Sequence, residues 1–110
     1  MPTISTHVLD TSRGRPASGV AVRLEREADE PALVARAVTD ADGRIREDFP
    51  PAVPAGRYRL VFQTGAWFGR SGQATLYPEI VIHLRLEDSE PHYHVPLLLA
   101  PFSYSTYRGS

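Results

Sequence analysis

The chain has 110 residues and contains no cysteine, no lysine and no asparagine. Without cysteine, disulfides and thiolate chemistry are excluded, and the redox character of the compartment stays open. Without lysine, no Schiff base can form on a side-chain amine. All 12 basic residues are arginine. A GC-rich genome accounts for this better than selection for anion binding, which would not remove every lysine. No run approaches the roughly 20 apolar residues of a membrane span. No apolar leader follows Met1-Pro2-Thr3, so a cytoplasmic location is the expectation. The net charge of -1 offers no basic excess for nucleic acid or an anionic membrane surface. No serine sits in a G-x-S-x-G elbow, and Gly65 to Gly72 has the wrong spacing for a phosphate loop. What remains is an ordinary globular composition, 42% apolar and 23% charged, at the length of one domain spanning residues 1–110.

Alternation with a period of two recurs along the chain and predicts strands. Ile4, Thr6 and Val8 share one face of the first, with Ser5, His7 and Leu9 on the other. A turn cluster spans Thr11 to Ser18. Val20, Val22 and Leu24 point inward from the next strand, and Ala32 to Thr39 forms a weaker one. Asp40-Ala41-Asp42-Gly43 signals a tight turn, and Ile45 to Phe49 is expected as a short edge strand. Pro50 to Gly56 is an irregular connection. Tyr58, Leu60 and Phe62 face inward, as do Ile80, Ile82, Leu84 and Leu86 from the cleanest strand. A single helical turn carrying Trp67 and Phe68 is expected in Gly65 to Gly72. These signals predict an all-β fold, a two-sheet antiparallel β-sandwich of seven to eight strands with one short helix.

The C-terminal stretch HYHVPLLLAPFSYSTYRGS carries the chemistry-bearing residues. On a strand, His92 and His94 point to one face while Tyr93, Val95, Leu97 and Leu99 face the core. A large aromatic and an arginine close to the end, Tyr107 and Arg108, imply a tail held in place. His83, mid-strand among charged neighbours, reads as a solvated residue. Histidines with Arg44 at a turn suit metal-free acid–base hydrolysis, with imidazole as base and a cation where negative charge develops. His92-x-His94 could instead ligate a metal with His7 as third ligand, although no carboxylate cluster accompanies the pair. Trp67, Phe68 and Phe102 read as core or contact residues. Composition and periodicity name no substrate.

Longer motifs do. His7-Val8-Leu9-Asp10, then Arg13-Gly14-x-Pro16-Ala17 and Gly19-Val20-x-Val22, resemble the opening of the transthyretin-related family. Thr39-Asp40-x-Asp42-Gly43-Arg44-Ile45 is similar to its next block, and His92 to Ser110 to its last. The terminal Tyr107-Arg108-Gly109-Ser110 is the most specific motif, since it separates the family's 5-hydroxyisourate-hydrolysing branch from the thyroid-hormone carriers. His7, Arg44 and His94 are further positions where the carriers are expected to differ.

The resemblance implies a site of His7, Arg44, His94 and Ser110 in catalytic roles, with His92 and Tyr107 joining them in substrate binding. Tail ordering is the preferred role for Arg108. It implies a homotetramer, a dimer of dimers with sites in a channel between dimers, and a part in urate breakdown. The expected reaction converts 5-hydroxyisourate to 2-oxo-4-hydroxy-4-carboxy-5-ureidoimidazoline, with no cofactor and no metal. The alternatives are a non-catalytic small-molecule carrier on the same sandwich, and a His-ligated metal-dependent hydrolase.

Overall fold

A computed structural model describes residues 1–46, 49 and 52–110. Among them are nine strands: β1 (Thr3–Asp10), β2 (Arg15–Pro16), β3 (Ala21–Arg26), β4 (Ala32–Val38), β5 (Arg44–Ile45), β6 (Gly56–Phe62), β7 (Ile80–Leu86), β8 (His92–Ala100) and β9 (Ser103–Thr106). One helix, α1 (Thr64–Gly69), falls at the expected Trp67-Phe68 turn. No helix among the described residues is long and apolar enough to cross a membrane.

The strands form two sheets, as expected. One runs β2-β1-β8-β9, with β5 also paired to β1; the other runs β4-β3-β6-β7. Buried residues of β1, β3, β5, β6, β7 and β8 meet between them, while β2, β4 and β9 contribute none. Ile4 and Val8 of β1 and Leu97 and Leu99 of β8 are fully buried opposite Leu24, Leu60 and Phe62. Each such side chain contributes roughly 1.5–3 kcal/mol by leaving water. Phe68 plugs the core from α1, while Trp67 packs at its margin and donates its indole hydrogen to the Ser18 carbonyl (2.7 Å). Phe102 stays largely exposed.

Two details depart from the expectation. The described residues form nine strands rather than seven or eight, the unexpected one being β2, a two-residue piece too short for any periodicity to reveal. The pairing is also not wholly antiparallel, since β1 and β8 run parallel in an eight-residue ladder from Thr3↔His92 to Asp10↔Leu99. A parallel pair requires a crossover, and here the chain between the two strands supplies the entire second sheet. The expected edge strand Ile45 to Phe49 is observed as β5, Arg44–Ile45; Glu47 and Asp48 lie outside the described residues, as do Pro50 and Pro51 of the irregular connection.

The turn before β5 is fixed by two devices. The Asp40 carboxylate accepts the backbone N–H groups of Asp42 and Arg44, both at 2.9 Å. Gly43 has φ +76°, where a Cβ would run into the Val8 carbonyl oxygen, so only glycine fits. Thr39, buried below, accepts from the Val20 N–H (2.9 Å) and donates to the Ala17 carbonyl (2.7 Å).

Candidate active site

Two strands and a turn set out the site. Ser5 and His7 stand on the outward face of β1, and His92 and His94 on the outward face of β8. The parallel register puts Ser5 beside His94 and Thr3 beside His92. It places His7 opposite Pro96, diagonal to His94. On the other edge of β1, His7 pairs with Arg44 of β5. The Asp40–Gly43 turn therefore delivers a guanidinium to a face carrying three imidazoles.

A pocket opens on this face. Ser5, Thr6, Arg44, Ile45, Arg46, His92, His94 and Ser110 line it. The tail reaches it because the Gly109 N–H donates to the His94 carbonyl (2.8 Å), a bridge that sets Ser110 down beside the imidazole. Arg108 holds the preceding turn of chain. It pairs with Glu90 at 3.1 Å and lies 4.8 Å over the ring of Tyr93. That is the tail-ordering part expected of it.

His94 has its pKa lowered from the ordinary imidazole value, first by burial and then by the charges of Arg44, His7 and His92. His7 is lowered too. Burial and Arg44 outweigh the Asp42 carbonyl and the carboxylates of Asp40 and Asp42, which act the other way. The ring of His7 donates its Nε2 hydrogen to that carbonyl (2.9 Å), so its lone pair is on Nδ1. In both, the lowering favours the neutral imidazole, the form a general base requires.

The expected residues are not all equivalent. Arg44, His92, His94 and Ser110 meet in the pocket; His7 is not among the residues lining it, but it pairs with Arg44 across the β1–β5 ladder. Both ring nitrogens of His92 are engaged, Nδ1 by the Thr3 hydroxyl (2.6 Å) and Nε2 by the Ser5 hydroxyl (2.8 Å). Tyr107 does not reach the pocket of its own chain. It lines a separate hollow of about 290 Å3 with Leu84, Tyr93 and Arg108, between β7 and the β8–β9 edge. His83 is exposed near Glu27, as expected of a solvated strand histidine.

Ser5, Thr3 and Arg46 were not picked out by sequence reasoning. Ser5 shares its face with His7, which was legible, but only the register shows it beside His94. The metal-ligand alternative finds little support from the donors, because no three His, Cys, Asp or Glu side chains among the described residues gather as a metal-holding group. At about 190 Å3 the pocket is smaller than the roughly 300 Å3 of most small-molecule sites.

Comparison with known proteins adds a family, two relatives and two solved structures. The model of the HIUase/Transthyretin family matches residues 4–109. A 5-hydroxyisourate hydrolase of Halalkalibacterium halodurans is 47% identical, covering 97% of both chains. One from Salmonella typhimurium is 43% identical, covering 97% of this chain and 80% of the relative. Among solved structures, Klebsiella pneumoniae 5-hydroxyisourate hydrolase superposes with a TM-score of 0.90 at 46% identity over the whole of both chains. Sea bream transthyretin in complex with thyroxine reaches 0.89 at 30% identity, covering 97% of this chain and 94% of that one. Backbone shape therefore does not separate hydrolase from carrier; side chains must.

Proposed function

Because the chain belongs to the HIUase/transthyretin family, we propose that it is an enzyme of that family's hydrolytic branch. It acts on 5-hydroxyisourate. The observation that carries this reading is the meeting of Arg44, His94 and Ser110 in one pocket, the positions at which a carrier is expected to differ. The carrier alternative leaves that meeting unexplained.

In the proposed reaction, water adds across a ring amide. Its oxygen bonds to the C6 carbonyl carbon, the C6–N1 bond breaks, and N1 gains a hydrogen. The product is 2-oxo-4-hydroxy-4-carboxy-5-ureidoimidazoline. A neutral imidazole, His7 or His94, takes the proton from the attacking water, and a proton returns to the leaving nitrogen. Base catalysis of this kind contributes roughly 100- to 10,000-fold. Arg44 grips the flat, carbonyl-rich ring with its planar fork of donors and offsets the charge developing on the C6 oxygen. The Ser110 hydroxyl hydrogen-bonds the ring from the tail side, and His92 borders it. The step uses no metal and no cofactor.

The small pocket supports the homotetramer proposed for the assembly. A second copy meeting this face across a two-fold axis would close the channel, and Tyr107 would meet a substrate only across such an interface. The test of function is the ultraviolet-monitored decay of 5-hydroxyisourate generated in place by urate oxidase. Decay many-fold faster than in buffer is expected. Decay at the buffer rate, by a folded tetramer, would reject the reading.

A further inference from the structure

Beneath the pocket runs a chain of four side chains whose connections the mechanism above does not use. Thr3 Oγ1 lies 2.6 Å from His92 Nδ1, His92 Nε2 lies 2.8 Å from Ser5 Oγ, and Ser5 Oγ lies 2.8 Å from His94 Nδ1. The parallel ladder creates it. Thr3 is registered with His92 and Ser5 with His94, so hydroxyls of one strand alternate with imidazoles of the next. Its ends differ. Thr3 Oγ1 also stands 3.4 Å from the Pro91 carbonyl. At the other end, His94 Nε2 has no hydrogen-bonding partner among the described residues, and the ring borders the pocket with Arg44 and Ser110.

Ser5 has one hydroxyl hydrogen and two nitrogens to satisfy. If it donates to His94 Nδ1, His92 must donate from Nε2, and both rings carry their hydrogen on Nε2. If it donates to His92 Nε2, His94 must donate from Nδ1, and both rings carry their hydrogen on Nδ1. Were both rings to donate to Ser5, its own hydrogen would have no acceptor among the described residues. In either arrangement that uses the serine hydrogen between the rings, the two histidines share one tautomer and change it together.

We infer that Ser5 couples the tautomers of His92 and His94, and that this chain moves a proton between His94 and His92 during turnover. The second half rests on the hydrolase reading. Both rings begin with their hydrogen on Nδ1. His94 Nε2 takes a proton from the attacking water, breaking that O–H bond as the N–H bond forms. His94 then passes its Nδ1 hydrogen to Ser5 Oγ while Ser5 passes its own hydroxyl hydrogen to His92 Nε2. The positive charge has moved to His92, whose Nδ1 hydrogen is held by Thr3 in a charge-assisted bond, consistent with the short 2.6 Å contact. His94 is left neutral with a hydrogen on Nε2, placed to protonate the leaving nitrogen. As it does so, the reverse transfer through Ser5 restores the starting state, and only water has been consumed. Ser5, His92 and Thr3 are positioning residues; of the four, His94 alone touches the reacting atoms.

The tautomers are read without substrate, from imidazole nitrogen shifts of histidine-labelled protein near pH 8. The same tautomer is expected for His92 and His94, and opposite tautomers overturn the coupling. In Ser5→Ala, kcat is expected to fall roughly tenfold or more with KM within about twofold. Ser5→Thr, which keeps the hydroxyl, should recover most of the rate. A proton inventory bowed in the wild type and straight in Ser5→Ala supports passage through the serine. An unchanged kcat in folded Ser5→Ala overturns it while leaving the hydrolase reading intact. A wild type inactive on 5-hydroxyisourate overturns passage and the hydrolase reading together, and the nitrogen shifts still decide the coupling.

Discussion

Gly109 packs directly against the His94 ring. A Cβ added there would lie 2.6 Å from His94 Cδ2 and 3.3 Å from Pro96 Cγ. Carbon atoms rest at about 3.5–4.0 Å, so in Gly109→Ala either the imidazole or the tail must move by about 1 Å. The imidazole is not free to yield, because its Nδ1 edge is tied to Ser5 at 2.8 Å. Beyond Arg108, which pairs with Glu90, the last two residues are held by one hydrogen bond to the His94 carbonyl, worth roughly 0.5–1.5 kcal/mol. The tail is therefore the part that moves, taking Ser110 from the pocket. A misplacement of about 1 Å costs on the order of 100-fold in rate. The expected outcome is a loss of about 100-fold in kcat/KM on 5-hydroxyisourate, with Tm lowered by no more than a few degrees. Gly69→Ala is the control, since a Cβ there meets nothing within 4 Å and the residue does not have positive φ. Its activity should be unchanged. A Gly109→Ala enzyme within about twofold of wild type would refute the reasoning that tail and imidazole form one packed unit.

Four further outcomes are expected. Arg44→Lys keeps the charge and loses the fork, and kcat/KM should drop roughly 100-fold, the low end for a lost oxyanion donor; an unaltered value would dismiss the planar clamp. The acid limb of kcat/KM should have its midpoint below the ordinary imidazole value of about 6.5, because His7 and His94 are both lowered. A rate flat down to about pH 5 would count against a histidine base. The same lowering means that the unfolded chain binds more protons just below pH ~6.5, so stability to urea should decline as pH falls from there through the folded values. Activity should survive extended dialysis against EDTA, and a loss reversed by added zinc would favour the metal-dependent alternative.

Much of this was legible in the residues. Val20, Val22 and Leu24, and Ile80, Ile82 and Leu86, declare their buried face by alternation alone, and the structure buries all six. The Asp40–Gly43 turn was legible from its glycine and its carboxylates, and with it the delivery of Arg44. What alternation cannot carry is the identity of a strand's neighbour. A period of two fixes which face a side chain takes and not which strand lies alongside. Hence the parallel β1–β8 pairing stayed hidden, and with it the place of Ser5 between two imidazoles. The same limit applies to Tyr107. Its motif resembles the hydrolase tail, yet the chain turns after β9 so that Gly109 meets His94 while Tyr107 faces the other hollow.

The central claim is that one flat ring is held among Arg44, His94 and Ser110, with His7 at its edge. A crystal structure of the assembled protein with a planar, non-hydrolysable oxopurine tests it most directly. The account predicts the ring in this pocket, with the Arg44 fork and His94 Nε2 within about 3.2 Å of its polar atoms. A ring bound elsewhere, or one that His94 and Arg44 do not both touch, would contradict it.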